Sequence, residues 1–282
     1  MTAVEDDAHS VDVASDVVTP AAAGALHGFL DAPGPNPQSG DAVPPLWHWL
    51  AFLPRVPQRA IGRDGHPLRT SETRPEEFPQ RMFAGGRIRY AGQARIGQVL
   101  TRASRTLSLE EKSGRSGKLL IATHEYVIDG DGQTVIDELQ NIVYRAPSAR
   151  SSSDLGAHRS GGMNNFEWSL DVRIDAVTLF RFSALTYNAH RIHYDLDYAQ
   201  TIEAYPGLVV QGPLQAMWLA ELCRRNAPFE TVESFEFRAV RPMFEGGELH
   251  LRGRKVGATA NLAAFDQHGQ QTVEAKVEFL PS

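Results

Sequence analysis

GPLQAMWLAELCRR, at residues 212–225, decides the fold together with the four segments that follow it. Pro213 stands where a helix begins, and the largely apolar residues after it predict a long helix. Strand-forming residues, divided by glycine-containing turns, then predict four strands. These segments are SFEFRAVRPMFEGG (234–247), ELHLRGRKVG (248–257), TANLAAFDQHG (259–269) and QTVEAKVEFL (271–280). A long helix followed by these strands indicates the α+β class, with an antiparallel sheet wrapped around the helix.

The first half of the chain repeats this plan. Thr19 as N-cap and Pro20 behind it predict a helix, and LWHWLAFL (46–53) predicts a short apolar one. Four strands are predicted from about Gly86 onward, with hairpin turns at SGRSG (113–117) and DGDGQ (129–133). The repetition predicts two units of one fold that arose by duplication, the alternative being two unrelated α+β domains.

Two internal similarities support the duplication, and they set the predicted boundaries. DAVT (175–178) matches DVVT (16–19), and FRAVRPMFEGGELHL (237–251) resembles RYAGQARIGQVLTR (89–102). We predict a first half over 1–150, a linker rich in serine and glycine over 151–167, and a second half over 168–282. Residues 1–15 are expected to be frayed, and residues 54–86 to form an irregular excursion.

Composition excludes several classes of function. The 282 residues are 42% hydrophobic and 22% charged, as in globular proteins, and the net charge of −6 argues against nucleic acid as the main partner. No apolar run approaches the roughly 20 residues that span a bilayer, so no membrane association is expected.

The acidic N-terminus is unlike a signal peptide, and Cys223 is the single cysteine. Both features predict the reducing cytoplasm, and the apolar surroundings of Cys223 predict a buried, inert thiol.

The densest polar cluster is YNAHRIHYD at residues 187–195. It connects helical LFRFSALT (179–186) to a helix that Asp195 can cap, and such loops often carry catalytic groups. His193 can exchange a proton near neutrality, whereas Asn188 can orient a water but cannot act as acid or base. The alternatives are a surface loop with solvated histidines, or a metal site formed by the HxxH pattern and Asp195, which lacks the helical spacing of zinc enzymes.

A second candidate is YPGLVVQGPLQA at residues 205–216. Gly212 lets a ligand approach its backbone, and its N–H lies at the start of the long helix, where it can donate to a carbonyl oxygen that gains negative charge. The alternative is an ordinary Gly-Pro helix start. The glycine-rich GRDG (62–65) is predicted to be a turn and not a phosphate loop.

These motifs resemble the MaoC-like (R)-specific enoyl-CoA hydratase and dehydratase family, in its branch of fused proteins. FSALTYNAHRIHYD (182–195) and YPGLVVQGPLQA (205–216) are the most specific, and the similarity extends to PPLWHWLAFLP (44–54) and PQRMFAGGRI (79–88). The resemblance implies a double hotdog fold with one working site in the second half and a degenerate first half that shapes the acyl pocket. It also implies an acyl-CoA substrate, no cofactor and no metal, and a homodimer as a family expectation.

The family motif G-D-x-N-P-I-H implies roles for the residues that match it here. His193 keeps the catalytic histidine, whereas Asn188 stands in place of the catalytic aspartate. The resemblance therefore implies that His193 carries more of the proton transfer, that Asn188 holds the water, and that Gly212 stabilises the thioester oxygen. Further expected substrate contacts are His190, Arg191, Val210 and Gln211.

The implied reaction is hydration of a 2-enoyl-CoA, such as mesaconyl-C4-CoA or itaconyl-CoA. A dicarboxylic acyl group needs a cation: Arg191 is the first candidate, although it could equally bind a CoA phosphate, and Arg81, Arg87 and Arg59 are the others. A 3-hydroxyacyl-thioester dehydratase of fatty-acid type, a hotdog thioesterase that uses Asp195, and a binding module without activity remain open.

Overall fold

A computed structural model describes residues 11–68, 78, 80–114, 117–145 and 163–281. Its described residues form one sheet of ten strands, and every neighbouring pair is antiparallel. The strands of the first half are β1 (Asp12–Val17), β2 (Gln80–Tyr90), β3 (Val99–Gly114), β4 (Gly117–Gly130) and β5 (Gln133–Arg145). Those of the second half are β6 (Trp168–Ile174), β7 (Val232–Ala239), β8 (Gly247–Val256), β9 (Thr259–Phe265) and β10 (Gln271–Phe279).

The strand order is the same in both halves. It runs β1-β3-β4-β5-β2 in the first and β6-β8-β9-β10-β7 in the second, and the sheet is joined where β2 pairs with β7. The fold class is therefore confirmed as a double hotdog. Each half has five strands among the described residues, because a strand precedes its first helix. That strand was predicted in the second half, where DVRI (171–174) runs into the helix, and missed in the first.

The helices are α1 (Pro20–Phe29), α2 (Ala176–Thr186), α3 (Leu196–Thr201) and α4 (Gly212–Asn226). Helix α4 is the predicted long helix, and all of its residues from Leu214 to Cys223 are buried. A helix that is buried on all sides has to be enclosed, and strands β6, β8, β9 and β10 lie against it. Burial raises the pKa of Cys223 to about 12, which keeps the thiol protonated and inert as predicted.

The first half has no helix as long as α4 among its described residues. In the corresponding part of the chain, LWHWLAFL forms only a short 3-10 helix over Trp47–Leu50. The buried carboxylate of Glu138 on β5 accepts from Trp49 Nε1 at 2.8 Å and contacts His48 Nε2 at 3.0 Å. Although burial opposes its charge, contact with His48 keeps the pKa of Glu138 below its ordinary value. This polar contact holds the 3-10 helix against the sheet.

One hydrophobic core runs through both halves. The ring of Phe29 on α1 lies 6.0 Å from that of Phe182 on α2 and 6.2 Å from that of Trp218 on α4. Arg225 at the end of α4 donates to the carbonyl oxygens of Leu30 and Asp31. These contacts fix the first helix of each half against α4. None of the described helices has the length and apolar character needed to cross a membrane.

Three local predictions were wrong. Asp12–Val17 is a strand and not frayed, and β2 begins at Gln80, inside the segment expected to be irregular. The matching DVVT and DAVT segments are also not equivalent at the helix start. Thr19 caps α1 by accepting from Ala22 N, whereas Asp175 caps α2 by accepting from Thr178 N.

Some predictions fall on residues outside those described. These are residues 1–10, most of the linker over 151–167 and the middle of the SGRSG turn. The domain boundaries therefore stay predictions. The DGDGQ turn is described, and it joins β4 to β5 as expected.

Candidate active site

A cavity of about 950 Å³ lies between the two halves. The second half contributes Phe182, Asn188, Arg191, Tyr194 and Pro213 to its wall, and the first half contributes Trp49, Phe52, His66, Arg81 and Phe83, among others. The wall is thus built from the loop over residues 187–195, here called the HRIH loop, from the start of α4 and from residues of the first half. This arrangement places the two motifs singled out in the sequence at one cavity.

The loop that carries His193 is fixed at both ends. Helix α2 ends at Tyr187, whose φ of 51° is left-handed, and Asn188 N donates to Ser183 O at 2.8 Å. Helix α3 begins at Asp195, which accepts from Tyr198 N at 3.0 Å, as the sequence predicted. Between them, the segment Arg191–His193 forms a single 3-10 turn. The turn leaves its side chains little freedom to move.

His193 is held as a neutral base. Its Nδ1 lies 2.7 Å from Val209 O, and because a carbonyl oxygen can only accept, Nδ1 carries the proton and Nε2 holds a lone pair. Burial lowers the pKa of His193 to about 4, and the nearby positive charges of His66 and Arg81 act in the same direction. Nε2 has no donor among the described residues, yet it is not among the fully buried atoms that lack a partner. His193 is 7% exposed and is not among the residues that line the cavity, whereas the next residue, Tyr194, lines it.

Gly212 opens α4 three residues after the carbonyl that holds His193. Gln211 provides no side-chain cap, and the Gly212 N–H donates to no other described residue. A Cβ at this position would lie 3.6 Å from Phe83 O, and both Phe83 and Pro213 belong to the cavity wall. The amide at this helix start thus lacks a described acceptor, and Gly212 directly precedes Pro213, which lines the cavity.

Asn188 and His190 are placed differently from each other. Asn188 lines the cavity, and its Oδ1 accepts from His190 N at 3.1 Å, which leaves its NH₂ group as the donor for a ligand. His190 is buried behind the wall, where its ring lies 5.3 Å from that of His193 and 4.1 Å from that of His66. His190 therefore contacts the other two imidazoles.

Val210 and Gln211, like His190, His193 and Gly212, are not among the residues that line the cavity, and their contact with substrate stays a prediction. Val210 is buried and donates its N–H to Met243 O at 2.8 Å. The side chain of Gln211 donates to Leu179 O at 3.2 Å and Ser183 Oγ at 3.0 Å. These bonds tie the start of α4 to α2, which is a structural role.

The charges of Arg191 and Asp195 are used within the protein. Nε and Nη2 of Arg191 donate to Asp195 Oδ2 at 3.0 and 2.7 Å, and Nη1 donates to Arg63 O at 3.1 Å. Asp195 also caps α3, and these bonds keep its pKa below the ordinary value. The guanidinium of Arg191 thus connects Asp195 to the backbone of Arg63. Asp195 is therefore neither a ligand of a metal site with the two histidines nor a free catalytic base.

The first half reaches this loop through the GRDG turn. Gly62 N donates to His66 O, which closes the turn as predicted, and Arg191 N donates to Asp64 O at 2.9 Å. Gly65 has a φ of +91°, and a Cβ there would lie 1.7 Å from Ala189 O. Only glycine allows this close approach. The turn thereby inserts Asp64 and His66 into the site, which the sequence analysis missed.

Asp64, His66 and His190 offer ligand atoms within 4.8 Å of one another. His66 Nδ1 lies 3.2 Å from Asp64 Oδ2, while His66 Nε2 lies 3.3 Å from Arg81 Nη1. The guanidinium beside the ring would repel a metal cation. The Asp64 carboxylate would attract one, so the two charges act in opposite directions on a cation at this cluster.

Two of the arginines considered for a dicarboxylic acyl group do not reach the cavity. Arg87 and Arg59 are exposed elsewhere, whereas Arg81 lines the wall. Arg102 also lines it and was missed; its guanidinium lies 4.7 Å from the Phe52 ring and 5.0 Å from the Tyr126 ring. Arg102 is half-buried on β3, as are its neighbours Thr101 and Ala103, so no sequence pattern set it apart.

A double hotdog in which a buried neutral imidazole and an uncapped helix start adjoin residues that line one cavity is the arrangement expected of acyl-thioester hydratases and dehydratases. The model of the family described as hydroxyacyl-thioester dehydratase type 2 matches residues 46–245. The chain belongs to this family, and it is accordingly a hydro-lyase.

Individual proteins agree with this assignment. The chain is 42% identical over 249 residues to mesaconyl-C(4)-CoA hydratase of Chloroflexus aurantiacus, with 88% of each chain covered. It is 26% identical over 235 residues to mitochondrial hydroxyacyl-thioester dehydratase type 2 of Schizosaccharomyces pombe, with 74% of this chain and 77% of that one covered. A MaoC-like dehydratase of Phytophthora capsici superposes with a TM-score of 0.73 at 10% identity, with 100% of both chains covered, which shows the shared fold.

Proposed function

We propose that the protein reversibly hydrates a 2-enoyl-CoA whose acyl group is short, branched and dicarboxylic, such as mesaconyl-C4-CoA. The observation that carries the reaction type is His193, fixed by Val209 O as a neutral base whose Nε2 has no donor among the described residues. The amide of Gly212, three residues beyond Val209, supplies the donor for the thioester oxygen.

The proposed mechanism uses each group for one task. The NH₂ of Asn188 donates to a water oxygen, and the water donates to His193 Nε2. As His193 takes this proton, the water oxygen forms a bond to C3, and the electrons of the C2–C3 double bond move toward the thioester oxygen. The Gly212 N–H stabilises the resulting enolate, and such a donor is typically worth about 3–4 kcal/mol. Protonation at C2 then completes the 3-hydroxyacyl product.

Asn188 in place of an aspartate leaves His193 as the only base proposed in this mechanism. An amide cannot hold a proton, so the proton removed from water remains on the imidazole until C2 takes it or solvent exchanges it. The low pKa of His193 makes its imidazolium a strong acid. His193 is thereby suited to return the proton to the enolate.

The substrate class is supported by the relative and by the charge of the cavity. The Chloroflexus aurantiacus protein is named for mesaconyl-C(4)-CoA, and it is 42% identical to this chain. A dicarboxylic acyl group needs a cation near it, and Arg81 and Arg102 both line the cavity. Itaconyl-CoA, a second dicarboxylic thioester, is kept as a candidate because the same two arginines could pair with its free carboxylate.

A dehydratase of fatty-acid type is the second candidate, and it is favoured by the description of the matching family. It would take an uncharged 3-hydroxyacyl chain, for which the cationic wall offers no partner. A thioesterase has less support, because it needs a carboxylate to activate water, and the carboxylate of Asp195 is bound to Arg191 and Tyr198 N. We place the protein in the cytoplasm, in keeping with its single cysteine, and expect a homodimer from the family.

The test is one assay with three enoyl thioesters. Purified protein is incubated with mesaconyl-C4-CoA, itaconyl-CoA and crotonyl-CoA, and loss of the enoyl absorbance is followed together with free thiol. We expect hydration of mesaconyl-C4-CoA to be the fastest, without thiol release. Thiol release would indicate a thioesterase, preference for crotonyl-CoA would favour the fatty-acid type, and no turnover of any would favour a binding module.

A further inference from the structure

We propose that Arg81 and His66, both from the first half, form a binding site for a carboxylate attached to C3 of the acyl chain. This inference rests on the proposed function, because it defines which part of a dicarboxylic enoyl thioester the protein recognises. It assigns a specific task to the half that lacks the HRIH loop.

The geometry of the two side chains suits an anion. Arg81 Nη1 lies 3.3 Å from His66 Nε2, and both residues line the cavity. Asp64 Oδ2 lies 3.2 Å from His66 Nδ1, on the other side of the ring. Because a guanidinium can only donate, His66 Nε2 accepts from Arg81 Nη1, and the ring proton lies on Nδ1, toward Asp64 Oδ2. A ligand carboxylate can then accept from the other N–H groups of the guanidinium, which His66 holds in place.

The charge of Arg81 is not neutralised by the protein. No described carboxylate forms an ion pair with Arg81, and its Nε is buried without a hydrogen-bond partner. A guanidinium that is partly withdrawn from water and lacks a counter-ion gains free energy when an anion binds beside it. Arg191, by contrast, already donates to Asp195 and to Arg63 O.

The position of the pair fits a carboxylate on C3. In a mesaconyl-C4 thioester, C3 counted from the thioester carbonyl bears the carboxylate, and the same carbon is attacked by water. That carboxylate must therefore lie beside His193. His66 contacts His190, whose ring lies edge-on to His193, and the charges of His66 and Arg81 both act on the pKa of His193. Arg102 has no such connection to His193, and its charge lies between two aromatic rings.

The test uses saturated thioesters, which bind without reacting. Succinyl-CoA carries a carboxylate on C3, and butyryl-CoA carries a methyl group there, so the two differ only in the group that the site would recognise. We would measure both dissociation constants by calorimetry for the wild-type protein, Arg81→Gln and His66→Asn. Arg87→Gln is the matched control, because Arg87 lies on the same strand but is exposed and outside the cavity wall.

We expect the wild-type protein to prefer succinyl-CoA. Arg81→Gln should weaken succinyl-CoA binding about 50-fold, as expected for the loss of a charged hydrogen-bond donor, and butyryl-CoA binding by less than about twofold. His66→Asn should act in the same direction to a smaller extent, and Arg87→Gln should change neither value. Arg81→Lys keeps the charge but not the planar fork, so its loss for succinyl-CoA should be intermediate.

Two results would overturn the inference. One is a wild-type protein that binds butyryl-CoA as tightly as succinyl-CoA, which needs no variant to observe. The other is an equal loss for both thioesters in Arg81→Gln and Arg81→Lys, which would make Arg81 a structural residue. Because no turnover is needed, a protein that selects succinyl-CoA but hydrates no enoyl-CoA would refute the proposed reaction and leave the carboxylate site standing.

Discussion

The imidazole of His193 donates from Nδ1 to the carbonyl oxygen of Val209 across 2.7 Å. This bond joins the two segments singled out in the sequence, the HRIH loop and the extended chain that leads into α4. It selects the tautomer of the ring, and it ties His193 to Val209, three residues before the Gly212 amide that opens α4. Base and oxyanion donor are thereby positioned as one unit.

Replacement of His193 by asparagine removes the proton acceptor of the side chain but keeps its hydrogen bond to Val209 O. The Asn amide can still donate to Val209 O, so the fold should be kept, but it cannot accept a proton. We expect kcat to fall by about 10²–10⁴-fold, the usual contribution of a general base. Hydration of mesaconyl-C4-CoA and circular dichroism measure the two effects.

His193→Ala is the companion variant, because it also removes the donor to Val209 O. It should lose as much activity and, in addition, about 1–3 kcal/mol of stability for a buried carbonyl left without its partner. An Asn variant with wild-type kcat would show that His193 is not the base.

The pH dependence should report the low pKa of His193. The imidazole remains neutral down to a pKa of about 4, so the kcat/KM of the hydratase should not fall between about pH 7 and pH 5.5, where an ordinary histidine would begin to titrate. Rate profiles recorded on protein that regains full activity at neutral pH check this. An acid limb with a midpoint near 6.5 would contradict the burial of this ring.

The same group makes stability depend on pH. The folded pKa of about 4 lies below the unfolded value of 6.5, so the unfolded chain binds the proton more readily and stability falls as pH drops from 6.5 toward 4. The contribution of His193 to this loss is about 3 kcal/mol. Urea unfolding at pH 7 and pH 5 should therefore show a smaller difference for His193→Asn than for the wild-type protein.

The part of the site that is continuous in sequence could be predicted. Asn188, His193 and Asp195 stand within eight residues, and the caps that bound their loop, Tyr187 and Asp195, depend on local conformation. Helix α4 was equally predictable from Pro213 and its apolar composition. What the sequence could not show is what lies across the cavity, since that depends on which distant segment packs there.

The GRDG turn illustrates this limit. Its local conformation was predicted correctly, but nothing in residues 62–65 indicates that Gly65 packs on Ala189, more than a hundred residues away. Strand β1 was missed for a related reason. Most of its residues are exposed, so it has no apolar alternation, and pairing with β3 at the sheet edge makes it a strand. Prolines at 44, 45 and 54 bracket LWHWLAFL, which accounts for a short 3-10 helix where the second half has α4.

The amide of Gly212 can be removed without changing the course of the backbone. Gln211 has φ −60° and ψ 133°, which a following proline tolerates, and Gly212 is already in the helix. Gly212→Pro should therefore keep the fold and lower kcat about 10²–10³-fold, as the loss of an oxyanion donor does elsewhere.

Gly212→Ala is its control, because it keeps the N–H and places a Cβ at ordinary contact distance, 3.6 Å from Phe83 O. It should retain far more activity than the proline variant. Equal kcat values for the two variants would show that the amide does not stabilise the transition state.

We expect Gly65→Ala to displace the GRDG turn of the first half from the candidate active site. The added Cβ would lie 1.7 Å from Ala189 O, and backbone cannot move aside as a flexible side chain can, so the turn must withdraw. With it go the contacts of Asp64 O and Arg63 O to Arg191, and the placement of His66. We expect kcat/KM for mesaconyl-C4-CoA to fall by at least about 100-fold, since misplacement by about 1 Å can cost that much.

Gly40→Ala isolates this steric effect from backbone strain. Gly40 has the same φ of +91°, but a Cβ there meets nothing within 4 Å. Both variants should lose about 1 kcal/mol of stability from the left-handed conformation, and only Gly65→Ala should lose catalysis as well. Equal activity in the two variants would mean that the docking of the turn on Ala189 is not needed for the reaction, and that the first half does not complete the site.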